Sequence, residues 1–321
     1  MARSRILALT AAIVLSPALG FSLPFELGHV FASVGGGQVK VFTPSGVLVQ
    51  TLVTGTGSSE TTGGAFDGAG NFYVTNFQSG DVSKFDNNGT LIGQILTGLS
   101  SVESISVNQA GNLYVGRADG DEDVRYISPS GVLLDQFDVA VGPRGSDWVD
   151  LAADQQTLFY TSEGDTVRRY DVAGDTQLTD FGTIPGAQLF ANRILSDGGL
   201  LVAGWTSGNV YRLNSTGALI DTFNIGGSLF ALNLDPDGQT FWTADYSSGE
   251  IYRANISDGL VVTQFNAAPF STSLAGLAIF GEIRQGGPQN PSPIPEPSAW
   301  TLMAGGLGLI AWRFRGRLHR R

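Results

Sequence analysis

A repeat constrains this chain more than any other feature. An aromatic or aliphatic marker (Tyr73, Tyr114, Phe159, Leu201, Trp242) recurs at steps of 41, 45, 42 and 41 residues. Each marker sits in a short apolar run behind a Gly, Asn, Gln or Thr turn, at 71–74, 112–115, 157–160, 199–202 and 240–243. A further run follows in every unit, at 82–85, 124–126, 167–170, 210–213 and 251–254. A last one follows at 91–95, 132–137, 177–181, 218–223 and 260–265. With the strand that opens each unit this makes four short strands, separated by the Ser-Gly, Asp-Gly and Asn-Gly turns that favour hairpins. Four strands in roughly 40–45 residues form a propeller blade. A helical solenoid would need a 3.6-residue period, which these runs lack.

The chain ends supply the closure. Residues 29–34, 38–42 and 47–52 align with the second, third and fourth strands of a unit lacking its first, and 274–283 reads as a first strand with nothing after it. Joined, they make a sixth blade and remove two exposed sheet edges that an open sandwich or solenoid would keep. The expected fold is an all-β, six-bladed β-propeller over residues 21–284, closed by N-terminal strands plus a C-terminal first strand. The segments Asp67-Gly68-Ala69-Gly70-Asn71-Phe72-Tyr73-Val74, Asn108-Gln109-Ala110-Gly111-Asn112-Leu113-Tyr114-Val115 and Asp235-Pro236-Asp237-Gly238 resemble NHL repeats and the related lactonase and lyase propellers. That resemblance implies a fold far more than an activity, because propellers host enzymes, receptors and scaffolds alike.

The termini indicate an address. Arg3 and Arg5, the apolar run 6–15 and the small residues Ala18 and Gly20 read as a secretory signal peptide over residues 1–20, cut before Phe21, with an uncleaved anchor as the alternative. At the other end a Pro/Gly/Gln/Asn linker, 285–294, leads to Pro295-Glu296-Pro297, the apolar stretch 298–312 and five arginines from Arg313 to Arg321. Trp300 and Trp312 suit the interfaces of a short membrane helix, and the arginines place its end in the cytoplasm. Residues 295–321 resemble the PEP-CTERM sorting signal of Gram-negative bacteria. The resemblance implies an exosortase-type processing protease as partner, an inner-membrane anchor before processing, and a surface or matrix destination often linked to exopolysaccharide and biofilm.

Charge and composition exclude several functions. Between Phe21 and Pro295 there are 11 basic and 28 acidic side chains, a net charge of −17, so nucleic acid is not expected as a partner, while cations, neutral glycans and proteins are. Without cysteine there is no thiolate nucleophile, Cys-ligated zinc, iron–sulfur cluster or disulfide. His29 and His319 are the only histidines, which disfavours imidazole catalysis. Virginiamycin-type lyases, which this chain resembles in repeat texture, use a late-blade His that is missing here. Ser is abundant, but there is no G-x-S-x-G elbow. Gly35-Gly36-Gly37 lacks the Lys and helix of a phosphate loop and reads as a turn.

Propeller sites form where the loops entering each first strand converge on the channel. Glu103, Asp147, Asp150, Asn192 with Arg193, and Asn233 occupy that region. Glu103 and Asp147 fall at equivalent places in adjacent units, and an all-oxygen set of this kind suits Ca2+ or Mg2+. Lactonase propellers use comparable ligands, which implies a metal-dependent hydrolase as one reading. The other corresponding positions are apolar, Phe190 and Phe230, which favours a non-enzymatic binding or structural protein with polar channel residues held by water. The acidic run Asp119, Asp121, Glu122 and Asp123 lacks the EF-hand glycine and terminal glutamate and reads as a solvated hairpin tip. Trp242 sits at the blade-core marker; Trp148 and Trp205 are open between packing and stacking on a sugar.

Overall fold

The repeated Asp/Asn-x-x-Gly-Asn segment is a turn stabilised by its own side chains. Asp67 Oδ1 accepts from the Ala69 and Asn71 amides at 3.0 and 2.9 Å, while its Oδ2 accepts from Tyr73 Oη at 2.9 Å. Gly70 takes φ +79°, which an L side chain resists. Asp235 repeats the arrangement, with its Oδ2 accepting from Trp242 Nε1 at 2.7 Å. The motif therefore fixes the hairpin between the first two strands of a blade and anchors the marker residue of the second.

The computed structural model describes residues 23–58, 60–119, 124–268 and 273–288, and every regular element in them is a strand. In chain order these are β1 (Val30–Val34), β2 (Gln38–Phe42), β3 (Leu48–Val53); β4 (Thr61–Phe66), β5 (Phe72–Asn76), β6 (Asp81–Phe85), β7 (Leu91–Leu96); and β8 (Val102–Val107), β9 (Leu113–Arg117), β10 (Val124–Ile127), β11 (Leu133–Phe137). There follow β12 (Trp148–Leu151), β13 (Thr157–Thr161), β14 (Thr166–Asp171), β15 (Thr176–Gln177), β16 (Gly182–Thr183); β17 (Leu189–Ile194), β18 (Leu200–Gly204), β19 (Asn209–Leu213), β20 (Leu219–Asn224); β21 (Leu229–Leu234), β22 (Thr240–Asp245), β23 (Glu250–Asn255), β24 (Val261–Asn266); and β25 (Gly276–Ile279).

They form six antiparallel sheets in meander order, and the sixth is β25-β1-β2-β3. β25 pairs with β1 from Val30↔Ile279 to Ser33↔Gly276, so strands from the two ends of the propeller close the ring as the sequence predicts. The inner strands β4, β8, β12, β17, β21 and β25 each touch the next, and β25 returns to β4. Alternation along the second strands supplies the core. Leu200 and Val202 pack with Phe159 and Val167 of the third blade, whereas Leu201 and Ala203 join the cluster containing Phe241 and Trp242 of the fifth. Successive residues thus bury into the two interfaces flanking each blade.

The third blade departs from expectation. Its last strand, predicted over 177–181, is instead two short pairings, β15 and β16, against opposite ends of β14. Arg169, near the middle of β14, donates from Nε and Nη2 to the Thr179 carbonyl at 3.1 and 3.0 Å, capturing the intervening bend with its side chain. The expected signal peptide, Asp121, Glu122 and Asp123, the sorting signal and the expected C-terminal membrane segment all lie outside the described residues.

Candidate functional site: the two ends of the channel

Four inner strands carry a β-bulge near their start. Pairing shifts between Thr61 and Gly64, Val102 and Ser104, Leu189 and Asn192, and Leu229 and Ala231. The extra residue re-aims a side chain, and the residues in the shifts include Thr62, Glu103, Phe190 and Phe230, all of which line one cavity at the channel mouth. The cavity holds about 280 Å3 and is completed by Glu60, Phe77, Arg144, Glu163, Gln188, Trp205 and Tyr246 from loops on the same face. Four of these, Phe77, Glu163, Trp205 and Tyr246, stand four residues after a repeat marker. That offset was the available sequence signal for the cavity wall, which reading the inner strands alone misses.

One side of the mouth is aromatic. Phe190 and Phe230 lie 4.6 Å apart between ring centres, Trp205 is 4.9 and 5.1 Å from them, and Tyr246 is 5.3 Å from Trp205. Trp148, in contrast, is core, 2% exposed and edge-on to Phe230. Trp242 is wholly buried.

The other side is acidic, and its carboxylates differ in their partners. Glu60 accepts from Tyr246 Oη at 2.5 Å and from Gln78 Nε2 at 2.8 Å. Glu163 pairs with Arg144 Nη1 at 3.0 Å, and Arg144 Nη2 reaches Asp119 at 2.9 Å. Glu103 and Asp147, 3% and 0% exposed, face each other from adjacent blades. With one proton between them they hydrogen-bond; without it, Glu103 Oε2 and both Asp147 oxygens have no donor among the described residues. Burial pushes both carboxyls well above the usual carboxylate range; the Glu103 charge raises Asp147 further, whereas the hydrogen bond with Asp147 partly offsets the rise at Glu103.

The opposite end is plugged. After β25 the chain crosses the channel, and Glu282 accepts from Arg193 Nε at 2.7 Å, the Leu234 amide at 2.8 Å and Asn233 Nδ2 at 2.9 Å. Arg284 Nη2 donates to Ser106 Oγ and Asp150 Oδ1, each at 2.7 Å. Gly286, at the start of the expected linker, packs against the Leu151 backbone and accepts from Gln155 Nε2 at 2.9 Å. Glu282 and Arg284 are polar anchors that sequence reasoning missed.

The predicted channel residues are therefore divided. Glu103 lines the open mouth with Asp147 buried beside it; Asp150 and Asn233 are tied into the plug; Asn192 Nδ2 bonds the Trp148 carbonyl at 3.1 Å between the two. Asn192 Oδ1 and Asn233 Oδ1 have no donor among the described residues. Among those residues no three His, Asp or Glu side chains converge as a metal site. His29 is buried and accepts from the Glu26 amide through Nδ1 at 3.1 Å; burial lowers its pKa.

A six-bladed β-propeller with one open and one plugged channel end is thus the class this fold defines. Residues 293–321 match the PEP-CTERM protein-sorting motif, so the propeller carries the mark of an exported protein sorted to the cell surface by an exosortase-type system. A comparison with curated proteins finds no match. Among solved structures, a chain of a nidogen/laminin complex is similar at TM-score 0.66 and 12% identity, covering 78% of this chain and 97% of that one. The WD40 β-propeller domain of Doa1 is similar at TM-score 0.58 and 14% identity, with 74% and 79% covered. Virginiamycin B lyase from Staphylococcus aureus is similar at TM-score 0.51 and 14% identity, with 65% and 71% covered. At these identities the likeness concerns the fold alone.

Proposed function

We propose that this chain is a surface-displayed propeller that acts by binding, with the open channel mouth as its ligand site and an exopolysaccharide-type glycan as its ligand. The observation that carries the reading is the mouth itself: an aromatic wall of Phe190, Trp205, Phe230 and Tyr246 together with the unsatisfied Glu103 Oε2 in a cavity of about 280 Å3. Aromatic faces bury the C–H face of a sugar ring while polar groups opposite fix its hydroxyls. The N-terminal signal peptide exports the chain, and the apolar C-terminal segment holds it in the inner membrane until processing. A glycan array probed with the full chain and with Trp205→Ala tests this. Binding that disappears in the variant is expected; no glycan bound, or unchanged binding by Trp205→Ala, removes the reading.

A second reading, a Ca2+- or Mg2+-assisted lactonase-like hydrolase, draws on one observation. Glu103, Asp147, Asn192 and Asn233 each present a buried oxygen without a donor, and a hard cation accepts such oxygens. Glu103 and Asp147 would hold the ion, with Asn192 further along the channel and Asn233 at the plugged end, and the ion would polarise a substrate carbonyl. Unfolding in EDTA and then in excess Ca2+ or Mg2+ decides it, because an ion bound only by the folded state must raise the melting temperature.

A further inference from the structure

The geometry points to an amino sugar, a pyranose bearing a protonated primary amine, as the preferred ligand of the channel mouth, with the ring on Trp205 and Tyr246 and the ammonium on Glu103, behind which Asp147 is buried. This rests on the glycan-binding reading and specifies its substrate class.

Three features of the cavity select this chemistry. First, its unsatisfied groups are all acceptors. Glu60 and Glu163 already have donors, whereas Glu103 Oε2 and both Asp147 oxygens, nine-tenths or more buried, have none beyond a proton shared between them. A neutral hydroxyl brings one donor, a primary ammonium brings three and a charge, and a quaternary ammonium brings none. Hydrogen bonds to ionised partners are also the stronger ones.

Second, the local charge favours a cation. Arg144 is the one basic residue on the cavity wall, and its guanidinium is shared between Glu163 and Asp119 at 3.0 and 2.9 Å. Its hydrogen bonds are therefore committed, and although its charge also favours the ionised forms of Glu103 and Asp147, burial outweighs it and leaves their pKa values raised, a state an incoming cation relieves. Third, the aromatic wall argues for a ring over a linear amine. Phe190, Trp205, Phe230 and Tyr246 are linked by centroid distances between 4.6 and 5.5 Å with ring planes 31–70° apart, and the half-buried Trp205 and Tyr246 offer faces on which a sugar ring can lie. The cavity volume, about 280 Å3, lies near the small end of the roughly 300–1,000 Å3 typical of ligand pockets and suits one sugar ring at depth.

The test is calorimetric titration of the full chain with a β-1,4-linked glucosamine tetrasaccharide and its fully N-acetylated counterpart, with EDTA present throughout. The two probes share ring and linkage and differ in the ammonium. The deacetylated probe should bind about tenfold or more tightly, and that preference should vanish in Glu103→Gln. Should that variant not fold, Asp147→Asn serves, with urea unfolding as the control. Trp205→Ala should weaken both probes. Equal binding of the two probes, or a preference that survives both carboxyl variants, overturns the amino-sugar inference and leaves glycan binding standing. Failure of both probes while other glycans bind in a Trp205-dependent manner has the same meaning. Failure of every glycan removes both proposals.

Discussion

Arg193 and Glu282, 89 residues apart in sequence, pair at 2.7 Å with side chains only 2% and 6% exposed. The pair joins the inner strand of the fourth blade to the segment that follows the ring-closing strand. Glu282 also satisfies the Leu234 amide and Asn233 Nδ2, so one carboxylate ties the fourth and fifth blades to the plug. Burial would pull the arginine's pKa down, but the opposing carboxylates of Glu282 and Asp150 raise it overall, so the guanidinium stays charged.

Removing one member of such a pair leaves the other charge buried alone. Glu282→Ala should therefore cost about 3–5 kcal/mol in urea unfolding. Arg253→Ala, whose own side chain is 23% exposed and which pairs with the partly exposed Asp237 and the buried Asp235, should cost less, about 1–2 kcal/mol beyond the packing of Arg253 over Trp242. Equal losses would show that the plug contributes no more than a surface contact.

Propeller closure was legible in the sequence because blade period, turn chemistry and strand alternation all repeat and therefore reinforce one another. Glu103 and Asp147 could be named since the repeat aligns them at equivalent places in adjacent units. The bulges were not legible, because a single extra residue in one strand is defined only by its partner's register. Glu282 and Arg284 were hidden for another reason: their partners, Arg193 and Asp150, lie 89 and 134 residues away, and nothing local marks the pairing. Arg169's effect on the third blade's last strand is local, ten residues away, yet equally hidden, since β propensity reports nothing about a guanidinium capturing a bend.

The turn motif can be tested at Asp67. Its carboxylate, 8% exposed as a residue, accepts from two backbone amides, Asn71 Nδ2 and the buried Tyr73 hydroxyl. Asp67→Ala should cost about 2–4 kcal/mol by leaving these donors unmet, and Asp67→Asn should recover part of the loss by retaining one acceptor. Chemical denaturation at pH 7 reads both. If Ala and Asn behave alike, hydrogen bonding is not what selects Asp in the motif.

Two glycines separate backbone conformation from close approach. Gly36 and Gly131 have φ of +75° and +85°, but a Cβ on Gly36 meets nothing within 4 Å, whereas one on Gly131 would lie 1.5 Å from the Ile95 carbonyl oxygen of the preceding blade. Gly36→Ala should cost about 1–2 kcal/mol, the left-handed penalty alone. Gly131→Ala must in addition push two blades apart and should be the more destabilising by at least about 2 kcal/mol. Similar melting temperatures for the two variants would mean that the blades yield at this contact.

The carboxyl pair at the mouth predicts an unusual dependence of stability on pH. Glu103 and Asp147 both have folded-state pKa values raised, chiefly by burial, above the unfolded values near 4. The folded protein therefore binds more protons than the unfolded chain over the intervening range. Stability from this pair is fully present below about pH 4 and is lost as pH rises toward and through the folded values. The depressed carboxylates Asp119, Asp154 and Asp237 act in the opposite sense, losing their contribution only as pH falls through their lower folded values. Between pH 5 and 9 the wild-type protein should consequently lose on the order of several kcal/mol through the pair. Asp147→Asn removes both an ionisable group and the like charge facing Glu103, so its stability should fall less steeply and overtake the wild type at the alkaline end. Thermal unfolding of both proteins across this range measures the difference directly, and charges elsewhere on the propeller cancel in the comparison. Parallel curves would mean that the two carboxyls ionise as freely in the ring as they do in water, contrary to their burial at the channel mouth.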